Sequence, residues 1–267
     1  MMLDNLYTVS DQALRYYRVR AFDSYPQFQH AIFTRKGGIS PSPFFSLNLS
    51  TAVGDRPDIV QHNIETVCQA LGIAAARTVS CHLVHGARVI TVTAANRQIE
   101  MGQADGLITA EANTWLFMRF GDCTPLIFFD PVQKAVGLSH AGWRGTMQNA
   151  AGATVKAMGE QLGCKPKNML AVIGPAIGPC CYEVGQDVIE AGQANLNNAA
   201  NLFYKNGKPN HAHFDMWAAN QQQLTEAGVT QVIQSGLCTA CRTAEFFSHR
   251  AEQGQTGRFG VIVGMRA

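Results

Sequence analysis

The chain has 267 residues, of which 46% are hydrophobic and 15% are charged, and its formal net charge is +2. This composition is typical of a globular protein and excludes a disordered one. The small charge, without any basic run, argues against nucleic acid or a membrane surface as a partner. No apolar stretch approaches the roughly 18 residues that a spanning helix needs.

The first residues do not combine a basic region with an apolar core. We therefore expect no signal peptide and a cytoplasmic location. Without a secretory signal, the eight cysteines are interpreted as free thiols and as metal or catalytic candidates rather than as disulfides.

Residues 1 to about 26 show only weak periodicity and are predicted to form a peripheral N-terminal arm or irregular element. A strand is predicted over His30–Thr34. The segment 40–55 is rich in Ser, Pro, Gly and Asn, and a loop of this length in a compact domain is more often functional than idle. A helix follows, with Pro57 in its first turn and Gly72 at its end.

The middle of the chain contains a series of short apolar runs separated by turns. Residues 78–84 and 88–93 are predicted strands on either side of a sharp turn at His85. Cys123 lies in the turn between two further apolar runs, 115–120 and 126–129. A third run, 135–138, stops abruptly at His140.

A βαβ unit with parallel strands is predicted from a strand over 135–139, a helix over 146–162 and a strand over 169–173. The glycine-rich residues before this helix would lie at its N-terminus, where free backbone N–H groups favour an anion. A later helix over 214–227 precedes strands over 229–233 and 259–263. No repeat or linker appears, so we predict one α/β domain spanning 1–267.

His85, Cys123 and His140 each lie at a junction between a predicted strand and a turn. Such junctions converge on one edge of the sheet in open α/β folds. A thiolate with two imidazoles is typical of zinc, and three protein ligands leave a fourth position open, as in catalytic zinc sites. The alternative is that each residue is merely buried or caps a turn, because the spacing carries no metal signature.

His82 is the rival imidazole, but residues 82 and 85 of a strand would point to opposite faces, so only one should reach the metal, and the turn favours His85. The pair His211 and His213 lies in a polar segment and is interpreted as capping or solvated. A multi-copper oxidase needs many histidines in repeated His-x-His pairs, whereas this chain has eight histidines and one such pair, so copper is less favoured than zinc.

Four other cysteines occur as two close pairs. Cys238 and Cys241 form a single C-x-x-C without a partner pair, which argues against a zinc ribbon and leaves a redox dithiol open. The adjacent Cys180 and Cys181 are not expected to face one site together and are interpreted as packing thiols.

Four arginines, Arg35, Arg119, Arg144 and Arg258, stand beside glycine turns or near the predicted metal site. A guanidinium suits bidentate binding of phosphate or carboxylate. Their recurrence favours an anionic co-substrate; the alternative is that they are surface arginines at loop ends.

Nine motifs in order along the chain resemble the YfiH-like family, often labelled laccase-domain or polyphenol oxidase. They are Phe33–Ser40, Ser46–Leu49, Val84–Val89, Ala104–Thr109, Asp122–Pro125, His140–Thr146, Ile173–Gly185, Phe247–Arg250 and Thr256–Arg258. The block His-Ala-Gly-Trp-Arg-Gly from His140 is highly specific.

The resemblance implies a single α/β domain with mixed β-sheets flanked by helices, similar to the cysteine-hydrolase-like fold of the cytotoxic necrotizing factor toxins. It implies a zinc site that falls on His85, Cys123 and His140. It also implies a purine nucleoside phosphorylase acting on adenosine, inosine and methylthioadenosine, with adenosine deaminase activity. Peptidoglycan-precursor editing and polyphenol oxidation remain alternatives within the family.

Two departures from the family pattern bear on substrate preference. The segment before the metal cysteine reads Arg119-Phe-Gly-Asp-Cys123 where Arg-Thr-Ala-Asp-Cys is usual. The segment before His85 begins His82-Leu-Val where Gln-Val is commoner. Neither departure removes a ligand.

For phosphorolysis we predict an anion site made by Arg35 and Arg144 with the helix N-terminus at Gly145 and Thr146. Asn48 is a candidate for hydrogen bonding the ribose or base.

Asp122 is a candidate general base, with a structural role as its alternative. The expected partners are a purine nucleoside and phosphate, and the expected state is a monomer or small homo-oligomer. Two competing classes stay open: a thiol hydrolase with Cys123 as nucleophile and His140 as base, and a binding protein without turnover.

Overall fold

The structure, a computed structural model, describes residues 5–267, and residues 1–4 lie outside the described range. Three β-sheets and five α-helices make up the regular structure of this range. The helices are α1 (Pro57–Ala70), α2 (Trp143–Met147), α3 (Ala150–Leu162), α4 (Gln186–Asn195) and α5 (Met216–Glu226). No helix within 5–267 is long and apolar enough to cross a membrane.

The first sheet has seven strands. In spatial order they are β1 (Leu6–Asp11), β2 (Leu14–Val19), β3 (Phe28–Phe33), β16 (Phe259–Met265), β8 (Trp115–Phe120), β4 (Thr78–His82) and β6 (Glu100–Gln103). Neighbours are antiparallel except that β4 runs parallel to both β8 and β6. The prediction of an irregular N-terminal element is wrong over residues 6–19, because β1 and β2 form a hairpin at the edge of this sheet.

The second sheet has six strands. In spatial order they are β15 (Gln231–Gln234), β11 (Leu170–Ile173), β9 (Thr124–Asp130), β10 (Ala135–Ala141), β7 (Gly106–Thr109) and β5 (Val89–Thr91). Both β10 and β11 are antiparallel to β9, which lies between them, so they run parallel to each other as predicted. A third, small sheet contains β12 (Glu183–Gly185), β14 (His211–Phe214) and β13 (Phe203–Lys205).

The helix predicted over 146–162 is in fact two helices. Asn149 adopts a left-handed conformation with φ 59°, and its side chain accepts a hydrogen bond from the backbone N–H of Gly152. An asparagine tolerates this conformation and is a good N-cap. It therefore ends the short helix α2 and starts α3 in a new direction.

The two large sheets pack face to face. The side chains along each strand alternate between the apolar core that the sheets share and a second apolar core on the outer face of the sheet. On β8, Leu116, Met118 and Phe120 contribute to the core between the sheets, while Trp115 and Phe117 face outward to the layer of α1. Such alternation follows from the two-residue period of a strand. Fully burying one such side chain stabilises the fold by about 1.5–3 kcal/mol.

The second sheet obeys the same rule. On β9, Ile127 and Phe129 face the first sheet, and Leu126 and Phe128 face the core shared with α3 and α5. The result is an α/β/β/α arrangement with helices outside both sheets. Alternation along β10 places His140 on the inner face, at the end of the strand.

Candidate metal centre

Three side chains with nitrogen or sulfur donor atoms converge where strands of the second sheet end. The ligand atoms of His85, Cys123 and His140 all lie within 4.8 Å of one another. His85 lies in the turn after β4 with a left-handed φ of 59°, Cys123 directly precedes β9, and His140 belongs to β10. Bond lengths of about 2.0–2.3 Å around a tetrahedral zinc place ligand atoms about 3.3–3.8 Å apart, so the donor set fits zinc.

The side chain of Asp105 holds the turn that carries His85. Its two carboxylate oxygens accept hydrogen bonds from the backbone N–H groups of Val84, His85 and Gly86 at 3.2, 3.0 and 2.7 Å. Asp105 is almost fully buried, at 1% exposure. In the sequence Asp105 stands out only as part of the motif Ala104–Thr109, which gives no sign of this role.

Asp105 also orients His140. Nδ1 of His140 lies 3.0 Å from an oxygen of Asp105, and the backbone N–H of His140 donates to the Asp105 carbonyl at 2.7 Å. Because a carboxylate can only accept, Nδ1 carries the proton and leaves Nε2 as the nitrogen available for a metal. A carboxylate behind a ligand histidine is a recurrent feature of metal sites.

Charge coupling within the cluster favours a thiolate. Burial alone would raise the pKa of Cys123, but the neighbouring imidazole of His140 outweighs it and lowers the pKa to about 6. Burial would conversely lower the pKa of His140, whereas the Cys123 thiolate and the hydrogen bond to Asp105 raise it to about 9. A deprotonated thiol is the form that binds metals.

Two glycines permit the close approach of α2 to the ligands. A Cβ atom on Gly142 would lie 2.9 Å from the sulfur of Cys123 and 3.4 Å from Cδ2 of His85. A Cβ atom on Gly145 would lie 2.9 Å from the carbonyl oxygen of Gly86. The glycines of the His-Ala-Gly-Trp-Arg-Gly block therefore leave room for the metal cluster.

The structure assigns Asn48 to the interior rather than to a substrate. Its side chain is fully buried; the amide donates to Asp55 and to the Ser50 carbonyl, and the oxygen accepts from the backbone N–H of Arg258 and of Ser50. All its hydrogen-bonding capacity is thus used inside the protein. These contacts do not support the prediction that Asn48 hydrogen bonds the ribose or base.

Asp122, the neighbour of Cys123, is also engaged within the protein. One carboxylate oxygen accepts from the Thr239 hydroxyl and the other from the backbone N–H of Arg250, both at 2.6 Å. Its own carbonyl accepts from the backbone N–H of Ile177. Of the two alternatives for Asp122, these contacts favour the structural one over a general base.

The predicted anion site at the start of α2 is only partly supported. Arg144 is exposed, and its guanidinium stacks on the ring of Trp143 at 4.2 Å. Thr146 is buried; its N–H donates to the Gly142 carbonyl and its hydroxyl accepts from Asn220. Its burial and these contacts do not support a phosphate-binding role for Thr146.

Arg35 lines a cavity of about 470 Å³. The residues that line this cavity include none of the three metal-ligand candidates. It pairs with Glu252 at 2.8 Å, donates to the carbonyls of Phe45 and Thr243, and stacks on Phe247 at 4.3 Å. These contacts are those of a structural arginine and do not support a phosphate-binding role.

Arg258 is the positive charge that the structure brings toward the metal centre. Burial lowers its pKa, while the neighbouring Cys123 and Asp122 act in the opposite direction. Arg119, by contrast, forms its hydrogen bonds inside the protein, where it donates to the Leu49 carbonyl and the Ser80 hydroxyl.

Tyr182 and Arg250 border the same region. Burial and the nearby Cys123 raise the pKa of Tyr182, and the guanidinium of Arg250 lies 5.2 Å from its ring centre. Both residues belong to motifs that carry the family resemblance, Ile173–Gly185 and Phe247–Arg250, but the sequence assigned neither of them a role.

Three further histidines, His82, His211 and His213, lie outside the candidate metal cluster, and the last two belong to β14. His82 lies on β4 with its side chain exposed, outside the metal cluster, near Glu100. His211 and His213 each place Nδ1 next to a proline carbonyl, of Pro209 and Pro179.

A second thiol group contradicts the sequence interpretation. The sulfur atoms of Cys180, Cys181, Cys238 and Cys241 all lie within 4.8 Å of one another. The prediction that the adjacent pair cannot face one site is wrong, and the C-x-x-C does have partner thiols.

Residues 29–266 match the family model described as multi-copper polyphenol oxidoreductase laccase.

The chain belongs to this family.

Its relatives include purine nucleoside phosphorylase YlmD of Geobacillus stearothermophilus, 38% identical over 87% of this chain and 88% of that protein. Purine nucleoside phosphorylase YlmD of Bacillus subtilis is 35% identical over 87% of each. The crystal structure of YfiH from Bacillus licheniformis superimposes with a TM-score of 0.91 at 32% identity, over 98% of this chain and all of that one. The predicted family and the mixed α/β fold are thereby confirmed.

Proposed function

We propose that this protein is a zinc-dependent purine nucleoside phosphorylase that also deaminates adenosine. The observation that carries the proposal is the His85–Cys123–His140 cluster held by Asp105, in a family whose relatives are named purine nucleoside phosphorylases. Adenosine, inosine and methylthioadenosine are the proposed nucleosides, and the cytoplasm is the proposed location.

His85, Cys123 and His140 would hold the zinc ion, with one position left for substrate or water. A bound zinc ion supplies Lewis-acid polarisation of an oxygen in that position. Asp105 keeps Nδ1 of His140 protonated and fixes the turn at His85, so both imidazoles present a set geometry.

Phosphorolysis requires an oxygen of phosphate to form a bond with C1′ of the ribose while the C1′–N9 bond breaks and the purine leaves with a proton. We propose that Arg144 and Arg258 hold the phosphate. Arg144 is exposed two residues after Gly142, where an added Cβ would meet Cys123 and His85, and Arg258 lies within electrostatic reach of Cys123. Guanidinium groups suit the bidentate geometry of phosphate oxygens.

The test is chromatography of adenosine and inosine incubated with purified zinc-loaded protein, with and without phosphate. Phosphate-dependent release of adenine and hypoxanthine supports the phosphorylase, and inosine formed from adenosine supports the deaminase. The variant Cys123→Ala should lose both activities and the zinc ion of this centre. Cys68→Ala, which removes a buried thiol of α1 outside the metal cluster, is the matched control.

Zinc binding without release of any base would contradict the phosphorylase and would direct attention to peptidoglycan precursors or polyphenols as substrates. A Cys123→Ala variant that keeps the wild-type zinc content would contradict the ligand assignment itself.

A thiol hydrolase is the second candidate, favoured by the lowered pKa of Cys123 and the raised pKa of His140. Such a pair has the form of an activated nucleophile with its base. The two candidates differ in what inhibits them: a thiol hydrolase survives chelation and is inactivated by alkylation, whereas a zinc enzyme loses activity on chelation and regains it when zinc is restored.

A further inference from the structure

Four cysteines from two loops meet outside the candidate metal centre. Cys180 and Cys181 lie in the loop after β11, and Cys238 and Cys241 lie in the loop after β15. The sulfur of Cys241 is 3.5 Å from that of Cys180 and 3.3 Å from that of Cys181.

These separations resemble those of a tetrathiolate metal site. Zinc–sulfur bonds of about 2.3 Å in a tetrahedron place the sulfurs about 3.8 Å apart, and all four sulfurs here lie within 4.8 Å of one another. A disulfide would join only two of the four sulfurs, at about 2.05 Å. One shared divalent ion accounts for the convergence of all four.

Local backbone structure explains how adjacent cysteines reach one point. The backbone N–H groups of Cys181 and Tyr182 both donate to the Gly178 carbonyl, so the chain turns tightly there. Successive side chains alternate between opposite faces in a strand, but a turn releases them from that rule. The two-residue gap between Cys238 and Cys241 is the spacing common in zinc sites.

The two loops are already joined beside the thiols. Ala176 forms a parallel bridge with Cys238, and the N–H of Thr239 donates to the Ala176 carbonyl. The backbone N–H of Gly178 points at the sulfur of Cys238 at 3.3 Å. The thiols thus sit on a preformed frame, which a metal ion needs for tight binding.

We propose that Cys180, Cys181, Cys238 and Cys241 bind one zinc ion as a structural site, distinct from the His85–Cys123–His140 centre. Four protein thiolates complete the tetrahedron and leave no position for substrate. Two of the thiols are exposed and one is half-buried, so the ion can enter from solvent.

The site fastens the loops that support the metal centre. Ile177 lies shortly before Cys180, and Thr239 directly follows Cys238. Both hydrogen bond to Asp122, the residue next to Cys123. A zinc ion clamping the two loops would therefore hold this wall of the centre in place. The inference is independent of the reaction catalysed.

The experiment is metal analysis by mass spectrometry after purification in zinc under reducing conditions. Wild type should carry about two zinc ions per chain, Cys123→Ala about one, and Cys238→Ala/Cys241→Ala about one, since each change removes one site. The control Cys68→Ala/Cys164→Ala removes two buried thiols outside both clusters and should keep both ions. A Cys238→Ala/Cys241→Ala protein with the wild-type zinc content overturns the proposal.

A second measurement does not depend on the double variant folding. In Cys123→Ala protein loaded with cobalt(II), a tetrathiolate site gives intense sulfur-to-cobalt charge-transfer absorption and a tetrahedral visible spectrum. Zinc should abolish both signals and protect Cys180 and Cys241 from a thiol reagent until a chelator is added. Absent cobalt bands, or a peptide map showing Cys241 in a disulfide with Cys180 or Cys181 under the same reducing conditions, overturns the proposal.

Discussion

The carboxylate of Asp105 links two candidate ligands, because it lies 3.0 Å from Nδ1 of His140 and also accepts the backbone N–H of His85 at 3.0 Å. The third ligand candidate, Cys123, directly precedes β9. The geometry of both imidazoles therefore depends on one buried acid.

Replacing Asp105 should weaken metal binding without removing a ligand. In Asp105→Asn an amide nitrogen, which cannot accept a hydrogen bond, replaces one oxygen and faces N–H donors. The negative charge that supports His140 is also lost. We expect zinc affinity to fall about 10- to 100-fold, measured by competition with a coloured chelator. Asp11→Asn, an exposed change on β1, is the control. Unchanged affinity in Asp105→Asn would show that His140 and the turn are held without it.

A methyl group at Gly142 should displace the ligands. In Gly142→Ala the new Cβ would stand 2.9 Å from the Cys123 sulfur, a distance that forces the sulfur or α2 to move. We expect weaker zinc binding and reduced activity.

The matched control for Gly142→Ala is Gly159→Ala in α3, where the nearest atom would be 3.5 Å away. That variant should bind zinc normally and gain about 0.5–1 kcal/mol in free energy of unfolding, because alanine favours the helix. Equal zinc affinity in both variants would contradict the steric argument.

The two arginines of the predicted anion site should behave differently. Arg144→Gln should raise the KM for phosphate about 10- to 100-fold, since a charge-assisted hydrogen bond contributes about 1.5–3 kcal/mol. Arg35→Gln should lower the melting temperature, because it breaks the contacts with Glu252 and Phe247, but should leave the phosphate KM unchanged. The reverse pattern in steady-state kinetics would return phosphate binding to Arg35.

His30 should make the protein sensitive to acid. Burial lowers its pKa to about 3, with help from the charge of Arg18, and its Nε2 accepts the backbone N–H of Val19. The unfolded chain, with an ordinary histidine pKa near 6.5, binds more protons between pH 3 and 6.5, so stability falls as pH drops through this window.

Urea unfolding of wild type and His30→Gln at pH 7 and pH 4.5 tests the argument. Wild type should lose about 2 kcal/mol more than the variant on acidification. His62→Gln, at an exposed position of α1, should lose as much as wild type. Equal losses in all three proteins would exclude His30 as the sensor.

The strands and the residues of the candidate metal cluster were predictable because their signals are local. The apolar run at 115–120 coincides with β8, and the turn at His85 interrupts two β-branched runs. The hairpin of β1 and β2 was missed because its edge strand β1 fully buries only Leu6, so the apolar alternation of residues 6–11 is faint.

The roles of Asp105 and of the second cysteine cluster were missed for a different reason. Asp105 in a turn resembles any capping acid, and only the folded chain shows that His85 and His140 lie on either side of it. The cysteines of the second cluster are about 60 positions apart in sequence. No spacing rule could join them, because two parallel strands, β11 and β15, bring their loops together.

The pairing of β9 with β10 has a consequence for how the protein acquires its activity. His140 stands opposite Pro125, two residues after Cys123. A slip of one residue in strand register would turn His140 to the other face of the sheet, away from the thiolate. Metal uptake at this centre during refolding would thus report correct strand pairing, because a misregistered chain could not assemble the three candidate ligands.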